Sequence, residues 1–532
     1  MRLRDALAGL YEDEQFAALY PVEGQPAYAP WRLAIVTVLQ YTENLTDRQA
    51  ANAVRERIDW KYSLGLDLSD PGFDFSVLSE FRRRLVEEGA ETLVLDRLLE
   101  VCQQRGWLKA GGTQRTDSTH VVARVRSLSN LECVGETLRA ALDDLADLAP
   151  EWLVGQISAD WFERYSHRVE NYRLPKAESQ RTALAQQIGS DGMHVLHALD
   201  QPEAPVGLSE VASVQLLRQV WEQYYDLSDG KAKWRAGPQD SAGEGIIRSP
   251  YDPEARTGKK RETTWFGYKV HLTETCALET TEESQAQAMP QLIVEVQTTV
   301  ANVQDVEMTQ VIQEDLAQQH LLPEEQLVDT GYVDAELLVS SHQSYGIRLL
   351  GPVLADNSWQ SKAGNGFDVG SFHLDWQAEL ATCPQGHTSH RWGPAGERIE
   401  VVFAQEVCAA CPLRNACTKS STTGRVLHVR PQAAHEALQA RRQEQQTPAF
   451  RQRYQARAGI EGTISQAVRG GGIRRARYDG LHKTHVQHVF TAVAINLVRI
   501  DAVLTQTPRG TTRRSTFARL ALHPAWHDQA AA

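Results

Sequence analysis

EQLVDTGYVDAELLVSSHQSYGIRLLGPV, residues 325–353, decides the fold. A short apolar run, Gln326-Leu327-Val328, closes at Asp329 and is followed by Thr330, Gly331 and Tyr332. A helical stretch comes next, DAELLVSSHQSYG, and then a second strand, IRLLGPV. Working upstream, residues 303–319 read as another helix. QLIVEVQTTV at 291–300, TTWFGYKVHLTET at 263–275 and GGTQRTDSTHVVARV at 111–125 read as β-branched strands. Strands alternating with helices imply an α/β sheet covered on both faces.

The rest of the chain divides around that sheet. A chain of 532 residues predicts two to four structural units. Residues 1–108 are expected to form a helical N-terminal domain for DNA binding or assembly. In it Thr46 and Gln49 have the spacing of a capping box. SVLSEFRRRLVEEG follows, with Leu78, Phe81 and Leu85 at helical spacing and Arg82, Arg83 and Arg84 between them. That basic edge suits a small DNA-binding unit and equally a plain helical bundle. The first part of the core spans 109–355, with a helical, acidic insertion at about 131–240. Residues 356–430 are rich in Gly, Pro, His and Cys. Residues 431–505 return to helix, one long helix running from Pro448 to Gly470–Gly472, and 506–532 read as a flexible tail.

Composition is that of an ordinary globular protein, 42% hydrophobic and 23% charged. No run of about 18 apolar residues predicts a transmembrane helix. MRLRDALAGLYEDEQF lacks the apolar stretch and small-residue cleavage site of a secretory signal, so the cytoplasm is the expected location. The net charge of −13 argues against a polyanion binder, but its distribution does not. Residues 424–520 hold 17 Lys and Arg against 5 Asp and Glu. Such asymmetry fits a nucleic-acid face on an acidic body, or a solvated basic surface.

Three acids stand in places that bland explanations fit only one at a time. Asp117 lies inside a predicted strand, where an acid is poorly suited and costly to bury unpaired. Asp329 ends a strand, and Glu461 lies mid-helix in RQRYQARAGIEGTISQAVRG. Strand ends in an α/β sheet open onto one crevice, and a helix across it can deliver a third side chain. Three converging carboxylates repel one another unless cations neutralise them, and hard oxygen ligands select Mg²⁺ or Mn²⁺.

The motifs resemble the bacterial insertion-sequence DDE transposases. They are Thr116-Asp117-Ser118-Thr119, Val328-Asp329-Thr330-Gly331-Tyr332, and Tyr454, Arg457 and Glu461 in the family's Tyr-x2-Arg-x3-Glu spacing. At about 100° per residue the last three fall on one helical stripe. The family pattern continues with six residues and then a Lys; Val468 holds that position here and Arg469 follows it. The resemblance implies a mixed sheet of RNase H type flanked by helices. It also implies a two-metal site of Asp117, Asp329 and Glu461 for cleavage and strand transfer of double-stranded DNA. The DNA would be an element's terminal inverted repeats and its target, handled by a homodimer. Tyr454, Arg457, Arg469, Arg474, Arg475 and Arg477 are then expected to bind DNA or brace the site. Arg457 could instead pair with a carboxylate of its own helix.

Seven cysteines in so long a chain do not form a disulfide framework. Cys383, Cys408, Cys411 and Cys417 cluster within 35 residues and suit a structural Zn²⁺. An unliganded reduced cluster and a redox role also fit, with His387 a substitute ligand. Cys102, Cys133 and Cys276 read as small buried side chains. Two rivals stay open: a nuclease of the same core that no longer transposes, and a zinc-stabilised DNA-binding protein or regulator without chemistry.

Overall fold

The computed structural model describes residues 4, 5, 7, 9–21, 28–276, 289–507 and 516–519, so most of the expected 506–532 tail lies outside the described residues. The N-terminal segment is helical, with helices Pro30–Thr42 (α1), Asp47–Glu56 (α2), Ile58–Leu64 (α3), Ser76–Glu87 (α4) and Leu93–Gln104 (α5). The capping box forms: Gln49 N–H donates to Thr46 Oγ1 at 3.3 Å, and Thr46 N–H to Gln49 Oε1 at 2.9 Å. Leu78, Phe81 and Leu85 are buried on one face of α4.

The arginines of α4 are not a free basic edge. Arg82 is buried, pairs with Asp47 at 2.5 Å and lies 4.7 Å from the Tyr478 ring centre. Arg83 pairs with Glu80 at 2.5 Å. Arg84 lies 3.0 Å from Glu80 and donates to the Leu19 carbonyl at 3.0 Å. Several of these partners come from remote segments, so composition alone does not show the neutralisation.

One six-stranded mixed sheet forms the core. Its strands are Thr113–Val122 (β1), Arg256–Lys260 (β2), Thr263–Cys276 (β3), Ile293–Val300 (β4), Glu325–Leu327 (β5) and Arg348–Leu350 (β6). β1 is central. It runs antiparallel to β3 from Thr113 opposite Cys276 to Val122 opposite Gly267, and parallel to β5 with Thr113 opposite Glu325. β6 adds in parallel beyond β5. The outer edge of β3 is shared, β2 pairing with its first part and β4 with the rest. β2 reads RTGKK and has no apolar alternation, so periodicity does not reveal it.

Helices Met308–Gln318 (α9) and Ala335–Tyr345 (α10) join β4, β5 and β6 in order. Between β1 and β2 the expected insertion forms its own helices, chiefly Asn130–Leu148 (α6), Glu178–Leu199 (α7) and Ala212–Tyr224 (α8). It packs its own apolar cluster around Leu138, Val195 and Trp221. The Cys-rich stretch is another small cored unit, holding a three-stranded antiparallel sheet of Arg391–Ala395, Arg398–Val402 and Val426–Val429 around Val401, Phe403 and Leu427. The chain then returns through Gln432–Glu444 (α11), Pro448–Tyr454 (α12), Gly459–Gly471 (α13) and Leu481–Leu504 (α14).

By length and composition alone α14 is apolar enough to span a bilayer, contrary to the sequence expectation. Two thirds of its apolar window (67%) is buried within the protein, where Val486, Val489, Phe490 and Val493 join the cluster that ties the N-terminal helices to the sheet.

Candidate active site

Asp117 lies near the middle of β1 and is 7% exposed, with Oδ1 accepting from the Ser118 N–H at 2.8 Å. Arg115 pairs with Leu327 across β1 and β5, and the same register carried two residues further brings Asp329 level with Asp117. Asp329 caps the short turn Thr330–Tyr332, its Oδ1 accepting from the Gly331 N–H at 2.8 Å. Gly331 is needed for room: a Cβ there would stand 3.0 Å from Asp329 Oδ1 and 3.3 Å from Asp305 Oδ2.

Arg457 gathers the acids. Its Nη2 lies 2.6 Å from Asp117 Oδ2 and 3.9 Å from Asp329 Oδ2, and its Nη1 3.3 Å from Glu461 Oε1. Glu461 itself is open to solvent, its side chain 66% exposed. Burial lifts the Asp117 carboxyl above the ordinary carboxylate range; Arg457 pulls it back and Asp329 pushes it up again. Burial alone would lower the Arg457 guanidinium, but Asp117 and its other neighbours outweigh this and it ends above its usual value. The cation is fixed where three negative charges meet.

Arg457 does not lie on a continuous helix. α12 ends at Tyr454, a 3-10 turn covers Gln455–Ala458, and α13 begins at Gly459. The Arg115 guanidinium enters here and donates to the Ala456 carbonyl at 2.7 Å, so the tighter turn replaces part of the expected helix. Tyr454 stacks on Phe450 at 5.6 Å beside Leu327 and Leu350, while its hydroxyl stays close enough to feel the charges of Arg457, Asp329, Asp117 and Glu461.

Arg115 belongs to a buried network that sequence reasoning missed. Glu274 on β3 is fully buried and lies 2.7 Å from both Arg115 and Arg499. Thr463, two residues beyond Glu461, donates to Glu274 Oε2 at 2.7 Å. The network ties β1 and β3 to α13 and α14. Its only sequence signal is charge inside two apolar strands, Arg115 and Glu274.

Asp117 and Glu461 line a cleft of about 350 Å³, with Ser465, Arg469 and Arg474 on its walls. Val468, at the family's Lys position, also lines it. Arg474 donates to Thr119 Oγ1 at 2.9 Å, and Arg475 is exposed just beyond it. Arg477 turns toward the N-terminal helices. Its guanidinium donates to the Leu45 carbonyl at 2.8 Å and lies 4.6 Å from the Tyr41 ring centre, so it holds the N-terminal helices to the core.

Among the described residues no group of three His, Cys, Asp or Glu side chains stands ready to hold a metal ion. At the acids the reason is plain, since Arg457 stands among them. The donor set still suits a divalent cation in kind: three hard carboxylates already share one positive charge. Cys383, Cys408, Cys411 and Cys417 line a single cavity of about 30 Å³ with His387. Burial raises the Cys417 thiol; Arg425 lowers it, and the other three thiols raise it further. Cys102, Cys133 and Cys276 are buried, as expected.

Two family models match the chain. One, described as Transposase domain (DUF772), covers residues 2–84; the other, Transposase DDE domain, covers residues 382–501. The second stretch holds the four clustered cysteines, Arg457 and Glu461, and begins after both aspartates. Comparison with curated proteins and with solved structures finds no match. The chain is thus similar to transposases at both ends, carrying a match to a transposase domain near its start and one to a transposase DDE domain further on.

Proposed function

We propose that Asp117, Asp329 and Glu461 are the catalytic acids of a DNA strand cleavage and strand transfer reaction at the ends of an insertion sequence. The observation that carries this reading is the single Arg457 guanidinium within 2.6, 3.9 and 3.3 Å of the three carboxylates, which come from remote parts of the chain. A mixed sheet with two Asp at neighbouring strands and a Glu on a late helix supports an RNase H-like core.

The three acids would hold Mg²⁺ or Mn²⁺, which when bound supplies positive charge for in-line displacement at phosphorus. The chain's own residues do the rest. Asp117 is held at one orientation by the Ser118 N–H, and the Glu274 network fixes α13 so that Glu461 faces it. Arg469 and Arg474 present guanidinium groups to phosphates entering the cleft. In cleavage a water oxygen bonds to phosphorus and the bond to the 3′ oxygen breaks. In transfer that freed 3′ hydroxyl attacks a target phosphodiester, displacing its 3′ oxygen. The partners would be element-end and target DNA in a homodimeric complex in the cytoplasm.

The four-cysteine unit is proposed to take a structural Zn²⁺, on the strength of four thiols lining one cavity. Metal analysis of the purified protein checks this: about one zinc per chain, lost in Cys411→Ser, is expected, and zinc-free folded protein refutes it.

The test of the main reading uses a labelled duplex carrying an element end, with Mg²⁺ or Mn²⁺. Wild-type protein should nick it, and Asp117→Asn should bind it equally well without nicking. Nicking by that variant removes Asp117 from the mechanism. Excision and reinsertion of an element in cells separates a transposase from a nuclease that no longer transposes.

A further inference from the structure

A fourth acid, Asp305, is hydrogen-bonded to Ser118 beside Asp117 and stands against Gly331 in the turn that Asp329 caps. Asp305 opens the turn Asp305–Glu307 that follows β4, and its side chain is 10% exposed. The Ser118 hydroxyl donates to its Oδ2 at 3.1 Å and Lys269 Nζ to its Oδ1 at 3.1 Å, while Lys260 Nζ lies 3.9 Å away. Ser118 is the residue whose N–H holds Asp117, and the missing side chain of Gly331 leaves the gap where Asp305 and Asp329 come close.

Asp305 therefore connects the acids to two ammonium groups. Lys269 is mostly enclosed and also donates to the Val303 carbonyl at 2.6 Å, so it cannot leave for solvent. The charge of Lys260 reaches Asp117 as well as Asp305. Without a carboxylate between them, both cations would act directly on the acids and oppose entry of a divalent ion.

Resting on the catalytic reading above, we propose that Asp305 is a positioning residue that neutralises Lys269 and Lys260 and so keeps the three-acid pocket able to accept divalent cations. It would act through charge, without touching DNA or the metal.

The experiment titrates Mn²⁺ into full-length protein without DNA, read by electron paramagnetic resonance, with thermal melting by circular dichroism alongside. Asp305→Asn keeps the side chain's size and should bind Mn²⁺ about 10- to 100-fold more weakly with little change in melting. Adding Lys269→Met to that variant should restore most of the affinity, because the uncompensated charge is removed. Lys269→Met alone should bind Mn²⁺ more tightly than wild type, which keeps the test open if Asp305→Asn fails to fold. Unchanged binding in Asp305→Asn, no recovery in the double variant, or weaker binding in Lys269→Met overturns the proposal. Asp117→Asn is the control on the reading beneath it. Wild-type Mn²⁺ binding in that variant sinks the three-acid site itself, whatever Asp305 does.

Discussion

Gly459 and Arg115 compete for one point in space: a Cβ on the glycine would stand 1.9 Å from Nη1 of the arginine. The guanidinium reaches the Ala456 carbonyl only because position 459 has no side chain. The resulting 3-10 turn contains Arg457, so a glycine on one element and an arginine on a remote strand together aim the cation that the acids share.

Gly459→Ala should disturb that arrangement. Alanine would gain up to about 1 kcal/mol of helix propensity. Crowding a buried, hydrogen-bonded guanidinium costs about 1–3 kcal/mol and releases its bonds as well. The clash wins, and we expect a lower melting temperature together with at least about tenfold slower nicking, since misplacement near 1 Å is that costly. Thermal melting and the end-cleavage assay check both parts.

Glu274→Gln removes the negative charge between two arginines. Glu274 is fully buried and Arg115 nearly so, so the loss leaves uncompensated positive charge in the interior. Breaking such a pair costs about 3–5 kcal/mol. Thr463→Val, which deletes one hydrogen bond to the same carboxylate, should cost only about 1 kcal/mol. Urea unfolding of the two variants should reproduce that order.

Arg457→Gln tests the competition between guanidinium and metal. With its shared cation gone, the metal-free protein should lose on the order of 3 kcal/mol, because buried Asp117 loses its ion-pair partner. Millimolar Mn²⁺ should then raise the melting temperature more than it does in wild type, by binding only the folded form. Equal metal-induced shifts in the two proteins would contradict the shared-site picture.

Two buried histidines predict acid lability. Burial, the largest cause for each, pushes His271 down to about 4 and His488 to about 3. Both stay neutral in the fold, while the unfolded chain takes up protons below about 6.5. Their stabilisation is therefore complete above that value and is lost as the pH falls toward 4 and 3, on the order of 3 kcal/mol for His271 and about 5 kcal/mol for His488. In His488→Gln the drop in unfolding free energy between pH 7.5 and 4.5 should shrink by about 2 kcal/mol. An unchanged drop would show that this histidine does not drive the effect.

The strands carrying Asp117 and Asp329 were legible because β-branched and apolar residues concentrate in short runs there, and each acid interrupts its run. The capping box at Thr46 was legible because it is wholly local. What stayed hidden depends on distant partners. The break between Tyr454 and Gly459 comes from Arg115, and the neutralisation of Arg82 from Asp47 and Tyr478. The link from Arg477 to Leu45 and Tyr41 likewise joins segments far apart in the chain. Asp305 gave no signal, since an acid at a turn is ordinary until its lysines are placed.

The central strand β1 is made early; its neighbours β3 and β5 follow one lobe with its own apolar cluster, and the helix bearing Glu461 follows a second. A ribosome must therefore release everything from β1 through α13 before the crevice can close. Any product truncated ahead of α13 would keep the early lobes and lack the means to cut. On the proposed reading, a growing chain therefore lacks its third carboxylate until residue 461 has been made.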